Sequence, residues 1–207
     1  METTAVKKYG RTPWQVMLAE AIQAMMAEMV DRGVVPAEHV AETPRRVVDT
    51  FVELFSGVDQ KPEEVLCTDF IEEQYSQMVT VRNIPFVSCC SHHLLSFIGT
   101  ADFAYIPDGR IVGFSKIPRL IEMFARRPQV QERLAEDIVT SFMRIVRPKG
   151  CAVLLEAVHL CMCIRGIKVS GAITRTTALR GVFADDAGAK MEFISGCKGL
   201  GGTEWLR

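Results

Sequence analysis

Apolar residues recur at helical spacing near the start of the chain and at alternating spacing through its middle, and this change of period divides the sequence. Thr12-Pro13 can cap a helix and supply its first residue, and Trp14, Met17, Leu18, Ala21, Ile22, Met25, Met26 and Met29 then form one stripe that ends at Gly33. Thr43-Pro44 opens a second helix with the stripe Val47, Val48, Phe51, Leu54 and Phe55, stopped at Ser56-Gly57. The methionine-rich face reads as core or as a subunit contact. After Pro62 the pattern turns to strands over 78–82 and 100–106, and Pro107-Asp108-Gly109 makes a turn into a third over 110–114. Helices are predicted around 118–126 and from about 128 to 146, the second carrying Val130, Leu134, Ile138, Phe142 and Ile145 and stopped by Pro148-Lys149-Gly150. A last pair of strands, 152–164 and 173–183, is joined through Gly166 and Gly171.

Helices, strands, helices and strands in that order make an α+β plan, an antiparallel β-sheet with helices on one face. An N-terminal helical arm over 1–60 and a sheet domain over 61–207 are expected to work as one functional unit. A length of 207 residues is enough to bury a substantial core. The formal net charge of −1 offers no polyanion-binding surface, so no nucleic-acid partner is expected. No apolar run is long enough to cross a bilayer, and Lys7, Lys8 and Arg11 are not followed by the apolar core of a signal peptide. No membrane partner and a cytoplasmic location are therefore expected. Seven cysteines, two adjacent and two separated by one residue, also argue against a secreted disulfide framework.

Candidate chemistry concentrates in two segments, Cys89-Cys90-Ser91-His92-His93 and His159-Leu160-Cys161. Cys90, His93 and Cys161 offer two soft thiolates and an imidazole, a donor set suited to Zn²⁺, and three protein ligands leave one position open for water. Three of the four histidines fall within two residues of these cysteines, a clustering that scattered core placement seldom produces. Cys-x-x-His spacing fits Cys89 with His92 as well, so spacing leaves both registers open. His92 and His159 are candidate proton carriers. Along the strand from 152, side-chain alternation puts His159, Cys161, Cys163 and Arg165 on one face. Cys163 as a fourth ligand would close the site and make it structural. Ser115-Lys116 and Arg119 open a predicted helix, where N-terminal amides attract anions; a solvated helix face is the preferred reading of such charges alone, and Arg165 on the metal-bearing strand is what raises a phosphate site.

Five segments together resemble the successive signatures of GTP cyclohydrolase I. They are Cys90-Ser91-His92-His93-Leu94-Leu95, Ala104-Tyr105-Ile106-Pro107, Gly113-Phe114-Ser115-Lys116, the run from Arg127 to Leu134, and the run from His159 to Gly166. The resemblance extends from about Trp14 to Phe193 and includes Thr43-Pro44-Arg45-Arg46 and Arg180-Gly181-Val182-Phe183. It implies a tunnelling fold (T-fold), a toroidal homodecamer with active sites where subunits meet, and a hydrolase acting on cyclic amidines. That activity converts GTP to 7,8-dihydroneopterin triphosphate and formate, the first step toward tetrahydrofolate and other pterins.

By motif position, the resemblance assigns zinc to Cys90, His93 and Cys161, which favours the Cys90 register. It assigns proton handling to His92 and His159, guanine recognition to Glu132 with Gln131 nearby, and the triphosphate to Lys116, Arg119 and Arg165. Ser115 is implied to lie near the ribose or phosphate and to assist the later sugar rearrangement. Two positions depart from the family pattern: Ser91 stands where the family usually has Glu, and Ser96 where many relatives have Pro. Ser91 keeps open a relative that stops at a formamidopyrimidine or serves another pathway, and Cys163 keeps open a non-catalytic zinc-stabilised assembly protein.

Overall fold

The computed structural model describes residues 12–66 and 75–197, so Lys7, Lys8 and Arg11 lie outside the described residues. The chain divides into two compact units, Met1–Phe55 and Ser56–Arg207; the sequence placed the boundary after residue 60.

The first unit is helical. α1 spans Pro13–Asp31 after the cap residue Thr12, whose N–H donates to Gln15 Oε1 at 3.0 Å, and Gly33 follows at φ 68°. A short α2, Ala37–Val40, leads to α3, Thr43–Leu54, whose cap falls on Glu42 rather than Thr43. Arg45 secures that end by donating to Glu42 at 2.8 Å and to Asp49 one turn on at 3.0 Å. Val16, Ala19 and Val48 are buried, whereas Met17, Met25 and Met29 remain exposed in the single chain.

The second unit begins with α4, Pro62–Leu66, and is built on five strands: β1 Val79–Cys90, β2 Ser96–Ile106, β3 Pro128–Gln129, β4 Gly150–His159 and β5 Thr174–Gly181. Their order in the sheet is β3-β1-β2-β4-β5, with every pairing antiparallel except the two-residue parallel pairing of β3 with β1. α5, Lys116–Ala125, and α6, Gln131–Val146, place Leu120, Ile121, Leu134, Ile138 and Phe142 in one core with Ile84, Phe86, Phe97, Phe103, Tyr105, Val153 and Leu155. Alternation in the strands explains the choice. Odd positions of β2 and β4 meet the long helices, while Ala104, Ala152 and Leu154 face the other way. There they meet Phe183 of α8, Val182–Asp185, and Phe193 of α9, Ala187–Gly196, so the opposite face also carries a helical cover. Among the described residues no helix is long and apolar enough to cross a membrane.

Several elements differ from the pattern read in the sequence, each for a local reason. β1 does not stop near residue 82: it passes through a bulge between Val81 and Ile84, where Asn83 takes φ 54° and its N–H donates to the buried carboxylate of Asp102 at 2.8 Å. Residues 110–114 form no strand, because Val112 N–H donates to Tyr105 Oη and Lys116 N–H to Gly113 O, folding the segment into the start of α5. Pro128 and Gln129 belong to the sheet, and the helix after them starts only at Gln131. The predicted strand 152–164 ends at His159. From Leu160 to Cys163 the chain makes a helical turn (α7), closed by Ile164 N–H donating to Leu160 O at 3.1 Å. The single-face row of His159, Cys161, Cys163 and Arg165 is therefore not formed. The last strand likewise stops at Gly181, at φ 59°.

Close strand packing depends on Gly99 in β2, where a Cβ would lie 1.9 Å from Glu156 O and 2.8 Å from Ala157 Cα of β4. Both obstacles are backbone in the middle of the sheet and cannot swing aside. Gly99→Ala is expected to destabilise the protein by about 2–3 kcal/mol or more, the range of severe overpacking. Urea unfolding monitored by far-UV circular dichroism measures it, and an unchanged midpoint would refute the packing argument.

Candidate functional site

The sheet brings the two chemistry-bearing segments together by strand order. β1 and β4 flank β2, so the C-terminal ends of β1 and β4 lie on either side of the start of β2. Cys90 ends β1 and His159 ends β4, where it pairs with Phe97. The β1–β2 hairpin is closed by Cys90 N–H donating to Leu95 O at 2.9 Å and Leu94 N–H donating to Cys90 O at 2.8 Å, with Leu94 in the left-handed region at φ 53°. This tight turn carries His92 and His93 out of the sheet. It is braced from β3, since Ser91 N–H donates to Gln129 O at 2.9 Å. Gln129 is itself buried, donating to Phe124 O and Asp137 while its Oε1 accepts from Arg133 Nε.

Cys90, His93 and Cys161 come together: one potential ligand atom from each lies within 4.8 Å of the others. The short α7 turn is what swings Cys161 toward Cys90, a geometry that straight strand alternation did not anticipate. Cys163 is not part of this group, and Cys89 is fully buried with a thiol pKa pushed up by that burial. Two sulfurs and an imidazole nitrogen at this separation fit a borderline-soft cation, and three ligands leave coordination open. Burial, with Cys90 close by, raises the Cys161 thiol pKa, so a cation that displaces its proton relieves the unfavourable charge of two neighbouring thiolates. Cys90 Sγ lies 3.7 Å from His93 Nδ1 and 3.6 Å from His92 Nδ1. Arg165 Nη1 donates to His93 Nε2 at 2.7 Å, so the neutral ring carries its hydrogen on Nδ1, the atom on the sulfur side, and a cation bound through Nδ1 would displace that hydrogen and release the Arg165 contact.

His159 stands beside this cluster and is held on two sides. Its ring stacks on Phe97 with centroids 4.6 Å apart and planes within 3°, and its Nε2 lies 2.7 Å from Gln131 Oε1. Burial lowers its pKa, partly offset by the negative charge of Glu132, which favours a neutral imidazole near neutral pH. Glu132 is exposed in the first turn of α6. The helix amides there favour its negative charge.

The remaining candidates lie on α5, which packs on β1, α4 and α6. Ser115 is its exposed cap residue, Lys116 is buried in its first turn, and Arg119 lines a separate hollow of about 270 Å³ with Ser56, Gln60, Val65, Glu122, Met123 and Arg126. Arg165, by contrast, reaches the cluster directly through His93. Sequence reasoning missed Phe97 and Gln129 as supports of the site. Phe97 lay outside the strand read over 100–106, and the pairing of β2 with β4 was not visible in the sequence.

The sequence matches the family model described as GTP cyclohydrolase I over residues 18–198. It is similar to GTP cyclohydrolase 1 of Mycolicibacterium gilvum, with 47% identity over 159 residues covering 76% of this chain and 78% of that protein. GTP cyclohydrolase 1 of Dehalococcoides mccartyi is 48% identical over 160 residues, covering 76% of this chain and 84% of that protein. GTP cyclohydrolase 1 of Bacillus cytotoxicus is 46% identical over 159 residues, again covering 76% and 84%.

Proposed function

The chain belongs to the GTP cyclohydrolase I family and is an enzyme of that activity, and from this premise we propose how its own residues carry out the reaction. The observation that supports the reading most is the convergence of Cys90, His93 and Cys161, from two strand ends far apart in sequence, beside the braced imidazole of His159. These three residues would hold Zn²⁺, which when bound supplies Lewis acidity and water with a pKa near ~7.

His159 and His92 then exchange protons with the purine as its five-membered ring is opened and formate is released. His159 suits a base because burial lowers its pKa, and His92 suits a shuttle because it is exposed on the hairpin next to Cys90. Glu132 accepts two N–H bonds from the guanine edge, a pattern adenine cannot offer. Arg165 anchors the triphosphate at the cluster. Ser115, Lys116 and Arg119 on α5 complete phosphate and ribose contacts in an assembly, a homodecamer with sites where subunits meet, so that one substrate is retained through ring opening, sugar rearrangement and closure to 7,8-dihydroneopterin triphosphate. The product feeds tetrahydrofolate and pterin synthesis in the cytoplasm, with no nucleic-acid or membrane partner.

A product assay tests the reading. Zinc-loaded protein given GTP is expected to release one formate per substrate and to yield a fluorescent pterin after oxidation. Accumulation of a formamidopyrimidine without formate would overturn it, and Ser91 would then be the first residue to restore to Glu.

A further inference from the structure

Gln131 lies two positions after β3 and begins α6, yet the residue is only 2% exposed, an unusual setting for a primary amide. Its polar atoms are committed within the fold. Nε2 lies 3.0 Å from Thr174 O, 3.3 Å from Leu155 O and 3.1 Å from Thr176 Oγ1, and Oε1 lies 2.7 Å from His159 Nε2. The two backbone carbonyls decide the orientation of the amide. They can only accept hydrogen bonds, so the atom facing them must be the NH₂ group; the reverse orientation would set three oxygens against one another in a buried space. With the amide fixed in that way, the atom facing His159 is an oxygen, and an oxygen at 2.7 Å requires the imidazole Nε2 to carry a hydrogen.

We propose that Gln131 is a positioning residue that holds His159 in the Nε2–H tautomer, so that Nδ1 keeps the lone pair used for proton transfer. Neutral imidazole has one donor and one acceptor nitrogen, and the bond made by one nitrogen sets the role of the other. Phe97 fixes the plane of the ring and Gln131 fixes its rotation within that plane. The amide in turn is tied to β4 and β5 through Leu155, Thr174 and Thr176, so the sheet itself orients the catalytic imidazole. On this account Gln131 acts through His159 and leaves recognition of the guanine edge to Glu132. The inference rests on the reading of His159 as a proton carrier in the cyclohydrolase reaction.

Neutron diffraction from deuterium-exchanged crystals of the zinc-loaded wild-type protein reads the tautomer without any variant and without turnover. Deuterium on His159 Nε2 and none on Nδ1 is expected; deuterium on Nδ1 alone would overturn the proposal. Two variants add the kinetic arm. Gln131→Leu removes the acceptor and is expected to lower kcat about 100-fold, the low end of what general acid–base catalysis contributes, with the KM for GTP and the zinc content close to wild type. Gln131→Glu can keep an oxygen toward Nε2 only as the protonated acid, its O–H donating to Thr174 O or Leu155 O in place of the amide N–H, and in that form it is expected to recover a measurable part of kcat over Gln131→Leu. A raised KM with unchanged kcat in Gln131→Leu would instead show direct substrate contact and sink the proposal. A wild-type protein with the expected tautomer but no formate release would refute the functional reading and leave the geometry standing.

Discussion

Cys161→Ala is expected to abolish both metal retention and GTP turnover while leaving the fold in place. Cys161 is only half-buried, on a four-residue helical turn, and packs on the edge of the main core rather than within it, so truncating it removes little buried packing. What it removes is one of the three ligand atoms that lie within 4.8 Å of one another. Loss of a group that merely orients a ligand costs about 10–100-fold in metal affinity, and loss of the ligand itself must exceed that. Inductively coupled plasma measurement after gel filtration is expected to find zinc in the wild type and none in the variant. Thermal melts supply the control: zinc at a thousandfold excess over its dissociation constant adds about 4 kcal/mol of stability to a protein that binds it only when folded. The wild-type melt should rise with zinc, whereas the variant should melt with the zinc-free wild type at every concentration. Retained stoichiometric zinc in Cys161→Ala would refute the ligand assignment.

The periodicity of the sequence made α1, α3 and α6 legible because each has a stripe and a stop, whereas short helices such as α7 and α8 carry neither and began inside expected strands. Thr12-Pro13 and Gly33 bracket α1, and Leu134, Ile138 and Phe142 mark the buried side of α6, since three- and four-residue spacing leaves one face to bury. Strand limits were harder, for reasons seen at particular residues. Asn83 and Pro85 look like a break, yet the bulge at Asn83 is stabilised by Asp102 on the neighbouring strand, a partner nineteen residues away. The segment after His159 continued an apolar run that suits a strand, but pairing with β2 ends at Phe97 and His159, and an unpaired backbone can turn into a helical loop.

The same distinction governs the site. Clustering of cysteine and histidine at 89–93 and 159–161 was visible as composition, and the resemblance to a family turned it into a specific register. The convergence itself depends on β1 and β4 flanking β2, which no local spacing reveals. Gln131 shows the limit most clearly. Beside Glu132 in sequence it looked like a second contact to guanine, but one residue further along a helix is about 100° around it. That rotation is enough to leave Glu132 exposed while Gln131 is buried against β4, β5 and His159.

Glu132→Ala is expected to separate substrate recognition from metal binding. The carboxylate is exposed in the first turn of α6, close enough to His159 for its charge to act on that ring, and it is not among Cys90, His93 and Cys161, the residues that could hold a metal. On the proposed assignment, removing it forfeits two hydrogen bonds to guanine, each charge-assisted and worth about 1.5–3 kcal/mol. Together they amount to a loss of roughly 100-fold or more in kcat/KM, since 1.4 kcal/mol is tenfold. The helix loses a favourable charge at its N-terminus as well, but that contributes only about 0.3–1 kcal/mol, too little to unfold the domain. Zinc content and melting temperature should therefore stay near wild type while GTP affinity, measured by isothermal titration calorimetry, collapses. Preference for GTP over ATP should fall with it, because under the proposed assignment the lost acceptor is the group that would tell the two purine edges apart. Unchanged GTP affinity in a folded, zinc-loaded variant would refute the guanine assignment, and unchanged affinity with impaired turnover would move Glu132 into the proton-handling group with His159.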